Sequence, residues 1–168
     1  MSDCPDPSLR PGAAARARGA QSNCAGRFER HSRCYDAGAW EEGAGAAPAM
    51  RTEVSEERPR RAITRNASPD ISFDRSVNPY RGCEHGCAYC FARPSHAYLG
   101  LSPGLDFETR LIARPKMPDI LDAELRAPRY RPETIAIGTN TDPYQPIERD
   151  RRIMRGVLEV LSAFRHPV

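Results

Sequence analysis

Three thiols stand within eight residues of this chain, in the run Asn78-Pro-Tyr-Arg-Gly-Cys83-Glu-His-Gly-Cys87-Ala-Tyr-Cys90. Spacers of three and then two residues let a loop that enters a helical turn aim all three sulfurs at one point, which is the arrangement of a soft-metal site. Three thiolates on a four-iron cluster leave one coordination position open, and an open position is where chemistry rather than electron storage takes place. Gly82 and Gly86 remove side chains where backbone has to wrap closely around an inorganic core, and amides there can point at cluster sulfides. The competing reading is a zinc site made by Cys83, Cys87 and Cys90 with His85 or His96. Structural zinc sites usually pair cysteines across two knuckles, whereas one knuckle is present here. Outside a zinc site, His85 reads as a loop residue beside the cysteines and His96 as a surface or core residue.

A second polar string, Gly138-Thr139-Asn140-Thr141-Asp142-Pro143-Tyr144-Gln145-Pro146-Ile147-Glu148, follows directly on the apolar run 134–138. Ligands of parallel α/β sheets bind at the carboxyl ends of strands, where this Pro-braced loop would lie. The plainer reading is a turn made by Asp142 and Pro143 and capped by Asn140. Arg81, Arg93 and Arg110 are candidate anion clamps, but the chain has 25 basic residues, of which only Lys116 is lysine, so each arginine reads first as a solvated surface residue. Lys116 is a weak ligand-contact candidate. Tyr80, Phe91 and Tyr98 read as packing around the cysteine loop.

The string Cys83-x3-Cys87-x-Tyr89-Cys90 resembles the signature of the radical S-adenosylmethionine enzymes. The wider run from Asn78 to Cys90 is similar to the branch containing spore photoproduct lyase and its bacterial relatives, and the likeness extends over roughly residues 70–168. The resemblance implies a 4Fe-4S cluster held by Cys83, Cys87 and Cys90, with S-adenosyl-L-methionine on the remaining iron and Tyr89 beside its adenine. It also implies one-electron cleavage of that cosubstrate to methionine and a 5′-deoxyadenosyl radical, which takes hydrogen from a further substrate. The family usually has a Gly-Gly-Glu-Pro-like loop for the cosubstrate's amino group. Here Thr139, Asn140, Thr141 and Asp142 occupy the corresponding place, and Asp142 or a threonine hydroxyl can still accept from an ammonium. The pattern assigns no residue as hydrogen donor. The other readings are a non-catalytic iron–sulfur or zinc-binding module and an inactive remnant of the enzyme.

The elements that must position these residues lie in the second part of the chain. Residues 1–62 hold 7 of the large apolar side chains and residues 63–168 hold 31, so the first segment cannot bury a core. We therefore expect a disordered low-complexity segment over 1–62 and a folded core over 63–168. Cys4, Cys24 and Cys34 fall in the former, as reduced thiols rather than a disulfide framework. Partial alternation predicts a strand from Ile71 to Tyr80, which delivers the chain into Cys83, and a second over Asp106–Arg114. Pro118 and Asp119 open a helix ending near Pro128; Thr134–Gly138 reads as a buried strand and Arg151–Arg165 as an amphipathic helix.

This order is α/β with a parallel sheet. At about 30 residues per strand–helix unit, the resemblance makes it the N-terminal half of a parallel (β/α)6 partial TIM barrel, with the chain stopping where a fourth strand would start. A net charge of +3 left by 25 basic and 22 acidic residues is not a nucleic-acid-binding balance, although the resemblance to a DNA-repair lyase keeps nucleic acid conceivable. The implied partners are the small-molecule cosubstrate and an electron donor, with no membrane. No apolar run suits a membrane span or an export signal, which makes the expected location cytoplasmic.

Overall fold

The computed structural model describes residues 18–20, 27–28 and 51–168. Cys4, Cys24 and Cys34 lie outside the described residues, as does most of the segment expected to be disordered. The architecture is mixed α/β. Its strands are β1 (Glu53–Glu56), β2 (Ile63–Arg65), β3 (Arg75–Val77), β4 (Tyr80–Arg81), β5 (Arg110–Ala113) and β6 (Ala136–Ile137). Four helices accompany them, α1 (Leu105–Thr109), α2 (Met117–Leu125), α3 (Glu148–Arg151) and α4 (Ile153–Ala163), and a 3-10 helix covers Arg93–Leu99.

Two small mixed sheets replace the single parallel sheet expected from the element order. One has the order β1-β5-β4 and the other β2-β3-β6. β1 runs parallel to β5 and β4 antiparallel to it, while β3 pairs antiparallel with β2 and parallel with β6. The split occurs at Asn78-Pro79, between β3 and β4. Proline has no N–H to give a ladder, so the chain leaves one sheet there and joins the other.

Three further expectations are corrected. The disordered span 1–62 is too long, because β1 lies within it in register with β5, Val54 opposite Leu111. A single large apolar residue hides that strand from a composition count; main-chain pairing and an ion pair hold it instead, Arg114 donating to Glu57 from Nε and a terminal nitrogen at 3.0 and 2.9 Å. The strand expected over Asp106–Arg114 begins as helix, since Leu105–Thr109 forms α1 and only Arg110–Ala113 is extended. Asp106 near the start of α1 faces the positive end of its dipole, and its carboxylate accepts from the Ser102 N–H at 2.9 Å. The helix expected over Arg151–Arg165 breaks at Arg152, which takes a left-handed φ of 51°.

The principal core lies between α2, α4 and the sheets. Val77, Tyr80, Met117, Leu121, Ile135, Met154, Val157 and Leu161 are fully buried in it. α4 packs on α2 at the position of Gly156, where a β-carbon would come within 2.8 Å of the Pro118 ring. No described helix is long and apolar enough to cross a membrane.

Candidate functional site

The two sequence motifs meet because of a strand register. β3 and β6 run parallel with Ser76 beside Ala136 and Val77 beside Ile137, so the residues that follow them emerge side by side. Asn78 then joins the two exits: its Nδ2 donates to the Thr139 hydroxyl at 3.0 Å and its Oδ1 accepts from the Asn140 N–H at 3.0 Å. Three residues after β3, β4 feeds the cysteine loop, whose first turn is tied to the same Thr139–Gln145 segment.

That tie is a buried polar clamp. The Thr141 hydroxyl donates to the Gly82 carbonyl at 2.7 Å, and the Gln145 side-chain amide donates to the same oxygen at 3.2 Å. Gln145 Oε1 accepts from the Glu84 N–H at 3.1 Å. Both side chains are buried, so these bonds are expensive to lose. Gly82 at φ 75° allows the turn, and a β-carbon there would meet Leu111, the Phe107 carbonyl and the His96 ring.

The three cysteines experience different surroundings. Cys83 is buried against Ala92 and Phe107, with Cys90 packed alongside, and Cys87 is exposed; all three are free thiols. Burial pushes the Cys83 thiol above its ordinary pKa. Among the described residues no group of three or more His, Cys, Asp or Glu side chains is drawn together closely enough to hold a metal ion. Tyr89 is 91 % exposed and Phe91 and Tyr98 also face outward, which corrects the expectation that the latter two pack around the loop; Tyr80 alone of that trio is buried.

Of the residues expected to hold a cosubstrate, Thr139, Asn140, Thr141 and Asp142 are gathered beside the cysteine loop, each with protein partners. Asn140 accepts from the Ser95 hydroxyl at 3.2 Å. Asp142 accepts from the Tyr144 N–H at 2.8 Å, an Asx turn where the plainer reading placed a turn, though Asn140, engaged with Ser95, is not seen to cap it; the other Asp142 oxygen lies 3.4 Å from His85 Nε2. His96 is fully buried and donates from Nε2 to the Arg110 carbonyl at 3.0 Å, edge-on to Phe107. That core role separates it from the zinc reading.

For Arg93 the clamp reading, set second on the sequence to a solvated one, is the one that the structure bears out, with a protein carboxylate as its partner. It is not a solvated surface residue: its side chain is 12 % exposed and paired with the wholly buried Glu108 carboxylate. From that position it donates to the Gly86 carbonyl at 2.9 Å and, through Nε, to the Cys87 carbonyl at 3.0 Å, with its plane 5.3 Å from the centre of the Phe107 ring. Glu108 also accepts from the consecutive N–H groups of Arg18, Gly19 and Ala20 at 2.8, 3.0 and 2.7 Å. A Glu-Thr-Arg run in an apparent strand carries no signal for this; the one-turn helix α1 aims Glu108 inward. Arg81 and Arg110 lie near Glu57 and Glu53, and Lys116 is exposed beside Asp119.

The chain is 47 % identical over 98 residues to uncharacterized proteins of Mycobacterium tuberculosis, strains H37Rv and CDC 1551, and of Mycobacterium bovis. The match takes in 58 % of this chain and spans 29 % of the length of those relatives. No family model matches the chain, and no solved structure matches it.

Proposed function

We propose that this protein is a radical S-adenosylmethionine enzyme, or the part of one that carries the cluster, with Cys83, Cys87 and Cys90 as ligands of a 4Fe-4S cluster. The observation that carries the reading is one short loop holding three free thiols, supported by glycines and clamped to a polar loop at the carboxyl end of a parallel strand. The donor set fits the cluster in kind, since thiolates are its ordinary ligands and three of them leave one iron open. Two of the three, Cys83 and Cys90, belong to one small apolar cluster with Ala92 and Phe107. Cys87 is the exposed one, and holding the cluster requires it to turn inward. When bound, the cluster supplies the electron that cleaves S-adenosylmethionine and so generates the radical that takes hydrogen from a substrate.

The chain's own residues supply holding and placement. Thr141 and Gln145 fix the first turn of the loop through the Gly82 carbonyl. Tyr89, wholly open to approach, offers a ring face for an adenine, and Asp142 offers an acceptor on the side of the neighbouring loop. The reading carries with it a (β/α)6 partial barrel, for which the parallel pairing of β3 with β6 and the loops at their carboxyl ends are the support. Substrate and electron donor belong to the whole protein and stay at the level of class: a molecule with an abstractable hydrogen and a one-electron reductant.

Anaerobic reconstitution of the chain with iron and sulfide tests the reading. It predicts a four-iron signal that changes when S-adenosylmethionine is added, and 5′-deoxyadenosine after dithionite. Stoichiometric zinc with no uptake of iron sinks it in favour of the zinc-binding module. A loaded protein that produces no 5′-deoxyadenosine is the non-catalytic iron–sulfur module or inactive remnant.

A further inference from the structure

We infer that Glu108, Glu84 and Thr52 form a receptor for an Arg-Gly peptide, and that its occupant is the chain's own Arg18-Gly19-Ala20, docked as a strap against the cysteine loop. This goes beyond the proposed function and requires no cluster. A carboxylate offers about four lone-pair sites, and Glu108 uses them all. Its Oε2 accepts from the N–H groups of Arg18 and Gly19, while Oε1 accepts from the Ala20 N–H and the Arg93 guanidinium. Successive backbone N–H groups that converge on one anion form a binding concavity for it. Here the anion belongs to the folded unit and the donors to the strap. Glu108 is wholly buried, so without the strap Arg93 alone offsets its loss of hydration.

The residue types of the strap fit this seat. The Arg18 guanidinium is a second attachment: it donates to the Glu108 carbonyl at 3.0 Å, to the Thr52 hydroxyl at 3.3 Å and to the Glu84 carboxylate at 3.1 Å. Those acceptors come from α1, from the residue before β1 and from the cysteine loop, and a planar fork spans them where the point charge of a lysine does not. Glu84 is itself held in place, since its carboxylate accepts from the Thr52 hydroxyl at 2.6 Å and its N–H donates to Gln145. Gly19 is the tight point. A β-carbon there would come within 1.8 Å of the Gly86 carbonyl oxygen and 3.2 Å of the Ala88 nitrogen, both main-chain atoms, so a larger residue has to leave the seat.

Amide hydrogen exchange of the full 15N-labelled chain, followed by NMR, tests the inference. The N–H groups of Arg18, Gly19 and Ala20 are expected to exchange roughly tenfold or more slowly than in an unstructured peptide of the same sequence; exchange at the unstructured rate overturns the docking. In Gly19→Val the strap is expected to lose that protection and the Gly86 N–H, which donates to the Cys83 carbonyl at 3.3 Å, to exchange faster, while the α4 amides stay slow. Strap protection kept in the variant overturns the fit at Gly19 and the seat with it. Should valine unsettle the whole fold, the wild-type rates alone decide the matter. Wild-type strap protection that rises with protein concentration overturns the assignment to the chain's own segment, because a second copy then supplies the occupant. Failure of the chain to take up iron overturns the proposed function instead and leaves the strap standing.

Discussion

At the scale of single residues, the structure turns several side chains from surface candidates into internal fixtures. His96 is the clearest case: it is fully buried, and loss of hydration lowers its pKa below the ordinary histidine value, with the Arg110 carbonyl opposing the shift. The sign of the consequence follows. The unfolded chain binds a proton near pH 6.5 while the folded chain resists it, so the contribution of neutral His96 is complete above about pH 6.5 and is lost as pH falls toward the folded-state value. Removing the ring should therefore matter most at neutral pH. We expect the stability gap between wild type and His96→Gln, read from urea melts, to be wider at pH 7 than at pH 5. An equal gap at both would contradict a neutral buried imidazole. The sequence left His96 open between surface and core, and it offered Arg93 as a clamp only behind a solvated reading, because nothing in an arginine-rich composition distinguishes the two.

At the scale of elements, close approach and local caps decide what propensity leaves open. Helix α4 begins after the left-handed Arg152, and its first N–H groups are met from outside the helix: Glu148 accepts from Met154 and Arg155, both at 3.0 Å, and also from the buried Tyr80 hydroxyl. This explains why the helix expected from Arg151 starts two residues later. Farther along, Gly156 sets the distance between α4 and α2. Replacing a helical glycine with alanine ordinarily gains about 0.5–1 kcal/mol, but here the new carbon would meet the stiff Pro118 ring at 2.8 Å. A larger residue has to push the helices apart. We expect Gly156→Val to lower stability by about 1–3 kcal/mol, seen as a reduced melting temperature; a gain would show that the helix pair adjusts freely. The α2 and α4 stripes were readable from apolar spacing. α1 was not, since Phe107, Thr109 and Leu111 alternate like a strand, and the turn is enforced by contacts distant in sequence, among them the Cys83 N–H donating to the Phe107 carbonyl at 2.9 Å.

At the scale of the whole molecule, the folded unit extends upstream of the apolar-rich region. β1 adds a parallel edge to β5, Glu57 anchors the buried Arg114, and Ala62 joins the core. A chain beginning at residue 63 should accordingly melt well below one beginning at residue 51, by calorimetry on both. Equal melting temperatures would show that residues 51–62 add nothing to the fold.

The sequence by itself determined the chemistry on offer: three soft donors at fixed short spacing, a polar loop after an apolar run, and the two amphipathic helices. These are local properties, and spacing along a chain constrains what a loop or one helix face can do. Only the tertiary structure decided that the chain forms two mixed sheets, that Thr141 and Gln145 hold the cysteine loop, and that Arg93 and Glu108 lie buried behind it. Each of those depends on bringing together residues many positions apart, through strand register and burial. The energy of a buried hydrogen bond or ion pair exists only once both partners have left water, so no single segment announces it.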